Sequence, residues 1–284
     1  MNILVFGGNR FTGKLLVEKL FSNGHKITVI NRRGIAPVSC EIIKCDRNDT
    51  KKLESLIQGL KFDCVIDMCL FNIDQAKACV KIFNNKIQKY IFISSIAVYE
   101  KSELFPKDEK STLGTWPMFG SYGEDKLQVE NYFESVNDFP FINLRPTYII
   151  GKGNHLNREG YYFDKILKGE QIDIEKEGQA ILSFVFVEDV ADIIYKVMIN
   201  KVVLRESYNL CNDEFITIKE FVFMIGSILG KVPVFNSVDR MVSFKNENCY
   251  FLNNKIKTDF NFEFKSLKQG LTELSKSYQN KTFH

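Results

Sequence analysis

The sequence predicts an α/β fold: a doubly wound parallel sheet covered by helices on both faces, with a smaller lobe toward the C-terminus. Three observations carry that expectation. Short β-branched runs alternate with helical patterns over residues 1–94. A glycine-rich turn, Gly7-Gly8-Asn9-Arg10-Phe11-Thr12-Gly13, stands directly between the first such run and the first helical pattern. The rhythm then breaks at Gly151-Lys152-Gly153-Asn154-His155, beyond which extended and helical pieces mix without a fixed order.

The expected strands are Ile3–Phe6, Ile27–Ile30, Ile42–Cys45, Val65–Asp67 and Tyr90–Ser94. Between them Thr12–Ser22, Thr50–Gly59 and Ile73–Asn84 carry apolar residues at helical spacing, and Asn23-Gly24 supplies a stop for the first. Alternation of this kind reads as βαβ units, whose strands are buried on both faces and therefore apolar throughout. A helix over 121–136 and a strand at Phe141–Leu144 extend the sheet. Further on, a helix near 160–168, a strand–helix pair at Phe184–Val187 and Asp189–Met198, and helices over 216–229 and 265–278 are expected. Residues 1–150 with about 181–210 form the expected main domain; about 151–180 and 211–284 form the lobe.

Composition narrows the partners. The 284 residues are 45% hydrophobic and 26% charged, ordinary values for a globular chain, and the net charge of +3 does not suit a dedicated polyanion binder. Nucleic acid is therefore not the expected partner. No apolar run approaches the ~18 residues of a membrane span. The chain opens directly on a strand-like run without a basic leader, so a cytoplasmic protein is expected. Neither Cys40/Cys45 nor Cys64/Cys69 has C-x-x-C spacing, and the histidines are His25, His155 and His284. Free buried thiols are expected rather than a metal site.

The glycine-rich turn sits where a Rossmann-type dinucleotide loop belongs, with glycines permitting close backbone approach and helix N–H groups facing a pyrophosphate. Gly7 and Gly13 fit the outer positions of G-x-x-G-x-x-G, with Arg10 in the place of the middle glycine. An NAD site usually carries an acid ~20 residues beyond the loop. Asn31-Arg32-Arg33 stands there instead, so NADP is favoured over NAD. Asp46, at the end of the third strand, is positioned to accept from an adenine amino group.

Carbonyl reduction or alcohol oxidation needs a proton donor and acceptor beside the hydride acceptor. A tyrosine serves when a neighbouring ammonium lowers its pKa, and Tyr and Lys four apart on a helix share a face. Tyr122/Lys126, Tyr148/Lys152 and Tyr161/Lys165 all have that spacing. Only Tyr122 follows the Ser94-Ser95 strand end and opens an amphipathic run. Tyr122 and Lys126 are therefore the expected pair, with a serine at the strand edge as a further donor.

Together these residues resemble the extended short-chain dehydrogenase/reductase family, the NAD-dependent epimerase/dehydratase group that acts on nucleotide sugars. Ser94-Ser95-Ile96-Ala97-Val98-Tyr99 resembles that family's S-S-x-x-V-Y strand end, which places the catalytic serine on Ser95. Tyr122-Gly123-Glu124-Asp125-Lys126 resembles its Y-G-x-x-K helix start. Leu144-Arg145-Pro146-Thr147 resembles the segment whose backbone lies against the nicotinamide, and Val187-Glu188-Asp189-Val190-Ala191 resembles V-x-D-V-A. The Gly-Gly-x-Arg-Phe loop is similar to that of a subgroup including the chloroplast stem-loop RNA-binding proteins.

The resemblance implies Ser95, Tyr122 and Lys126 as catalytic residues and a C-terminal substrate lobe. The expected cofactor contacts are Gly7, Gly8, Asn9, Arg10, Phe11, Gly13, Asn31, Arg32, Asp46, Cys69, Pro146 and Thr147. A family dehydratase would carry Asp-Glu after the serine, where Ile96-Ala97 stand, so an epimerase or ketoreductase is expected. The alternative is a non-catalytic NAD(P)-binding or RNA-associated member of the fold. Homodimerisation stays open: Ala76, Ala78, Cys79, Val80, Ile82 and Phe83 serve either the sheet or a partner helix.

Overall fold

Ile3, Leu4, Val5 and Phe6 are sealed from solvent because the strand they form lies in the middle of a parallel sheet, with layers packed against both of its faces. The computed structural model describes residues 1–200 and 203–279; His284 lies outside the described residues.

In chain order the elements are β1 (Asn2–Phe6), α1 (Phe11–Ser22), β2 (Lys26–Asn31), β3 (Glu41–Lys44), α2 (Thr50–Ile57), β4 (Cys64–Asp67), α3 (Ile73–Phe83), β5 (Lys89–Ile93), α4 (Ser121–Ser135) and β6 (Phe141–Pro146). The second half adds β7 (Tyr148–Ile150), α5 (Arg158–Lys168), β8 (Ile172–Glu175), β9 (Ile181–Phe186), α6 (Val187–Ile199), β10 (Glu206–Leu210), β11 (Phe215–Thr217), α7 (Ile218–Leu229), β12 (Phe235–Val238), α8 (Asn254–Phe260) and α9 (Leu267–Gln279).

The main sheet has seven strands in the order β10-β6-β5-β4-β1-β2-β3, every neighbouring pair parallel. This is the doubly wound Rossmann-type α/β fold that the alternation predicts. Val5 lies opposite Val29 on one side and Ile66 on the other, and the strand order reverses between β1 and β4. Ligands of open α/β sheets bind outside the strands' C-terminal ends at such a switch point.

Apolar stripes cover both faces. Leu16, Val17 and Leu20 of α1 and Ile193, Ile194 and Val197 of α6 form one layer. Leu53 and Ile57 of α2, Cys79, Val80 and Phe83 of α3, and Val129 and Phe133 of α4 form the other. The apolar stripe of α3 is thus packed against the sheet. Side-chain caps start two of these helices: Asp49 accepts from Lys52 N–H, and Asn72 from Gln75 N–H.

Outside the main sheet, β11-β9-β7 form a three-stranded sheet and β12-β8 a parallel pair. Their core includes Tyr162, Phe163, Phe184, Phe221 and Phe244, with Phe184 stacked on Phe221 at 4.5 Å. Neither β7 nor β8 was expected. β7 is too short to show a period. β8 hides in a charged stretch, but Ile172 and Ile174 are buried while Asp173 and Glu175 are not, the alternation of a half-covered strand. Its partner β12 arrives some sixty residues later, and sequence spacing does not report that pairing. All seven cysteines are unpaired, Cys40 and Cys69 being partly exposed. Among the described residues, no helix is long and apolar enough to cross a membrane.

Candidate active site

The candidate residues come from strand ends and loops far apart in sequence, which the parallel sheet gathers along one edge. Gly7 through Arg10 join β1 to α1, whose first turn holds Phe11 and Gly13, Asn31 ends β2, Asp46 follows β3, Cys69 follows β4, Ser95 follows β5, and Pro146 with Thr147 closes β6.

The glycine loop has the features of a phosphate cradle. Gly7 and Gly8 have φ of +101° and +78°, conformations that side chains disfavour. A Cβ on Gly13 would stand 2.9 Å from the Gly8 nitrogen, so only glycine lets α1 press against the loop. The first turn of α1 has neither a side-chain cap nor an acidic residue, and this leaves its N-terminal N–H groups open to an anion. These residues fit a dinucleotide. Asn9 is half-buried and Phe11, at φ 44°, turns its ring toward His155 across the sheet edge, 6.4 Å between centres. Arg10 is exposed and, among the described residues, forms no ion pair.

The second strand end is already engaged. Asn31 accepts from the backbone of Arg33, Gly34 and Ile35 and donates to the carbonyls of Gly7 and Ile35, bracing the turn rather than reaching outward. Arg32 and Arg33 remain exposed. Asp46 is exposed and accepts from Asn48 N–H at 3.0 Å, keeping one carboxylate oxygen free. Thr147 is buried and donates its hydroxyl to the Leu210 carbonyl, tying β6 to β10. Pro146 is buried beside it.

Ser95, Tyr122 and Lys126 come together where α4 packs on the single helical turn Ile96–Val98. Gly123 makes this approach fit: a Cβ there would lie 2.4 Å from the Ala97 carbonyl oxygen. Ser95 caps that turn, accepting from Ala97 N–H at 3.2 Å. Tyr122 keeps 43% of its surface exposed, yet its hydroxyl end is largely desolvated. Burial raises the phenol's pKa, while the neighbouring Ser95 hydroxyl and the charge of Arg158 draw it back. Ser94, by contrast, is 2% exposed and its hydroxyl finds no partner. Of the two adjacent serines, only Ser95 stands against the phenol.

Lys126 behaves differently from the expectation. It is fully sheathed; its ammonium donates to the Leu70 carbonyl at 2.7 Å and the Ile93 carbonyl at 2.8 Å, 5.8 Å from the Tyr122 ring centre. Phe92 and Phe71 offer it their faces at 4.6 and 5.2 Å. Burial pushes its pKa down to about 8, against the pull of Asp67. The cation that opposes the rise in the Tyr122 pKa is Arg158, not Lys126. Helical spacing puts the two side chains on one face, but the carbonyls on either side decide where the ammonium goes.

The other Tyr/Lys pairs are occupied elsewhere. Tyr148 is buried in β7 under the Arg158 guanidinium, and the Tyr161 hydroxyl accepts from Asp173 N–H at 3.0 Å in β8.

Sequence reasoning missed a buried charged cluster behind the site. Arg47 forks onto Asp67 at 2.6 and 2.8 Å, and Tyr90 donates to the same carboxylate at 2.6 Å. Cys69, whose thiol burial pushes up to about 11, lies 3.6 Å from Arg47. The available signal was Asp67 itself, a lone charge closing an otherwise apolar strand.

The seven-stranded parallel sheet with helices on both faces is the Rossmann-type α/β fold of the short-chain dehydrogenase class. The chain belongs to the NAD dependent epimerase/dehydratase family, whose profile matches residues 3–211. It is 27% identical over 234 residues to the chloroplast stem-loop binding protein of 41 kDa b of Arabidopsis thaliana. That match covers 76% of this chain and 60% of the relative, so the chain spans about three-fifths of its length. In fold it is similar to UDP-glucose 4-epimerase from Thermotoga maritima, solved with UDP-glucose (TM-score 0.84, 21% identity, 100% of both chains). It is likewise similar to dTDP-glucose 4,6-dehydratase from Bacillus anthracis, solved with NAD (TM-score 0.83, 20% identity, 99% of this chain and 97% of that one).

Proposed function

We propose that the protein is an NAD(P)-dependent epimerase or ketoreductase that moves hydride at an alcohol or ketone of a nucleotide sugar. The observation that supports this reading is that Ser95 and Tyr122, with Lys126 one helical turn further on, lie at the same sheet edge as the glycine cradle. A bound nicotinamide supplies the hydride acceptor and donor. Gly7, Gly8, Asn9, Phe11 and Gly13 would hold its diphosphate, Asp46 the adenine, and Lys126 the nicotinamide ribose. Tyr122 takes the proton from the reacting hydroxyl, or returns it to the carbonyl, while Ser95 donates to the same oxygen. Ile96 and Ala97 are buried and apolar, with no side chain able to do the second acid–base step of a dehydration.

A cavity of about 620 Å³ beside α5 supports the substrate class. Arg158, Arg240, Lys165 and Asn157 line it. Arg240 is paired with Asp173 and Lys165 with Glu170, but Arg158 forms no ion pair among the described residues. Its charge also acts on Tyr122, so a phosphate held there would leave the attached sugar beside the phenol. Arg32 and Arg33, exposed beyond Asn31, favour NADP over NAD as in the sequence reading.

The test is turnover of a nucleotide-sugar panel (UDP, dTDP and CDP hexoses and their 4-keto forms) with each cofactor. Interconversion of epimers without net cofactor reduction identifies an epimerase; stoichiometric cofactor oxidation by a keto sugar identifies a ketoreductase. The likeness to a stem-loop binding protein favours one rival, a non-catalytic RNA-associated role. No turnover across the panel, together with RNA binding that weakens steeply with salt, would establish that rival instead.

A further inference from the structure

Two carbonyls fix the Lys126 ammonium, and they are unequally secured. The Ile93 carbonyl closes a strand locked between two neighbours in the main sheet. The Leu70 carbonyl belongs to the loop between β4 and α3, which has no strand to hold it. Its position is set by its flanking residues. Cys69 N–H donates to the Asp67 carboxylate at 3.1 Å, and Phe71 N–H donates to Gln75 Oε1 at 2.8 Å.

Both pins lead back to one place. Asp67 is held by the Arg47 fork and Gln75 Nε2 donates to Asn48 Oδ1 at 2.8 Å, so adjacent residues of the loop after β3 brace the chain on either side of Leu70. A guanidinium and a carboxylate, both buried, are costly unless paired in good geometry, and this pair satisfies the fork at both oxygens. Its location is informative: the loop it stiffens carries an acceptor for the candidate catalytic lysine.

We propose that Arg47 and Asp67, with Asn48 and Gln75 as a second brace, are positioning residues for Lys126, acting through the Leu70 carbonyl. The proposal rests on the reading of Lys126 as part of the active centre. Arg47 and Asp67 touch neither the reacting atoms nor the open part of the cleft. They act by holding one end of a two-point clamp. Their charges also reach the ammonium: Asp67, Cys69 and Glu130 favour its protonated form, and Arg47 opposes it.

The experiment titrates Lys126 directly, by ¹³C NMR at the lysine ε-carbon in the full chain without substrate, with Lys126→Met assigning the resonance. The native lysine should titrate near pH 8. Asp67→Asn removes the favourable carboxylate and leaves Arg47 unbalanced, so the midpoint should fall by about one unit or more. Because a buried arginine without its partner can unfold the chain, Gln75→Ala is measured in parallel: it frees Phe71 N–H and leaves every charge in place. It should move the resonance and its midpoint by a smaller amount and lower kcat several-fold with KM unchanged. A Lys126 titration identical to native in every folded variant overturns the proposal, whatever the activity. A moved titration with native turnover on an identified substrate supports the brace and instead removes Lys126 from the catalytic centre.

Discussion

Arg145 and Glu130 form a forked ion pair at 2.6 to 3.2 Å with both side chains almost wholly sealed from solvent. The pair ties β6 to α4 one turn beyond Lys126. Arg145 also donates to the Tyr99 hydroxyl at 3.0 Å, which in turn donates to Asn209 at 2.7 Å in β10. The helix bearing Tyr122 is thereby anchored to β6, to the segment that follows Ser95, and through Tyr99 to β10.

Removing one member of that pair should be far worse than removing both. Arg145→Met leaves a carboxylate buried without a partner and should cost about 3–5 kcal/mol. The double variant Glu130→Met/Arg145→Met should recover much of the loss, since no charge remains to be desolvated. Denaturant unfolding of the three variants measures this; additive losses would show that the pair does not act as a unit.

Tyr122→Phe keeps the ring and removes the proton path, so turnover should fall at least ~10²-fold while cofactor affinity holds. Tyr148→Phe and Tyr161→Phe are the controls. The Tyr148 hydroxyl has no partner, so its loss should leave stability unchanged or slightly improved. Tyr161→Phe forfeits one hydrogen bond to Asp173, about 1 kcal/mol. A control that matches the Tyr122 loss would reassign the acid–base residue.

Cofactor choice should respond to the exposed arginines. Native protein is expected to bind NADP(H) more tightly than NAD(H), and Arg32→Ala/Arg33→Ala should erase a preference of about tenfold without weakening NAD(H). Fluorescence titration of both cofactors reads this. A native preference for NAD(H) would place the two arginines outside the site.

Asp189 supplies a pH prediction. Burial raises its carboxyl to about 6 from an ordinary 3.8, although Lys265 N–H and the Lys265 charge favour the anion. The folded chain therefore holds this proton more tightly than the unfolded chain. The resulting contribution favours folding below pH 4, fades as pH rises toward 6, and stays lost above it. Asp189→Asn keeps an acceptor for Lys265 N–H without the charge, so it should melt higher than native at pH 8 and alike at pH 4. A lower melting temperature at pH 8 would show that the anion stabilises the fold.

By itself the sequence determined the sheet and its glycine cradle. Runs such as Ile3-Leu4-Val5-Phe6 are apolar throughout because both faces of a parallel strand are covered, and Gly13 is required by a contact with Gly8 only five residues away. Such causes are local, and local causes leave periodic or spaced patterns. The shared helix face of Tyr122 and Lys126 was legible for the same reason. Tertiary structure alone decided where the Lys126 ammonium points, because its acceptors, Leu70 and Ile93, lie on other elements. It also decided that Arg47 and Asp67 form a buried pair, that Asn31 braces its own turn, and that β8 finds its partner in β12. Each depends on which groups meet across the fold, and the free energy of burying a charge or pairing a strand is set by that meeting rather than by neighbours in the chain.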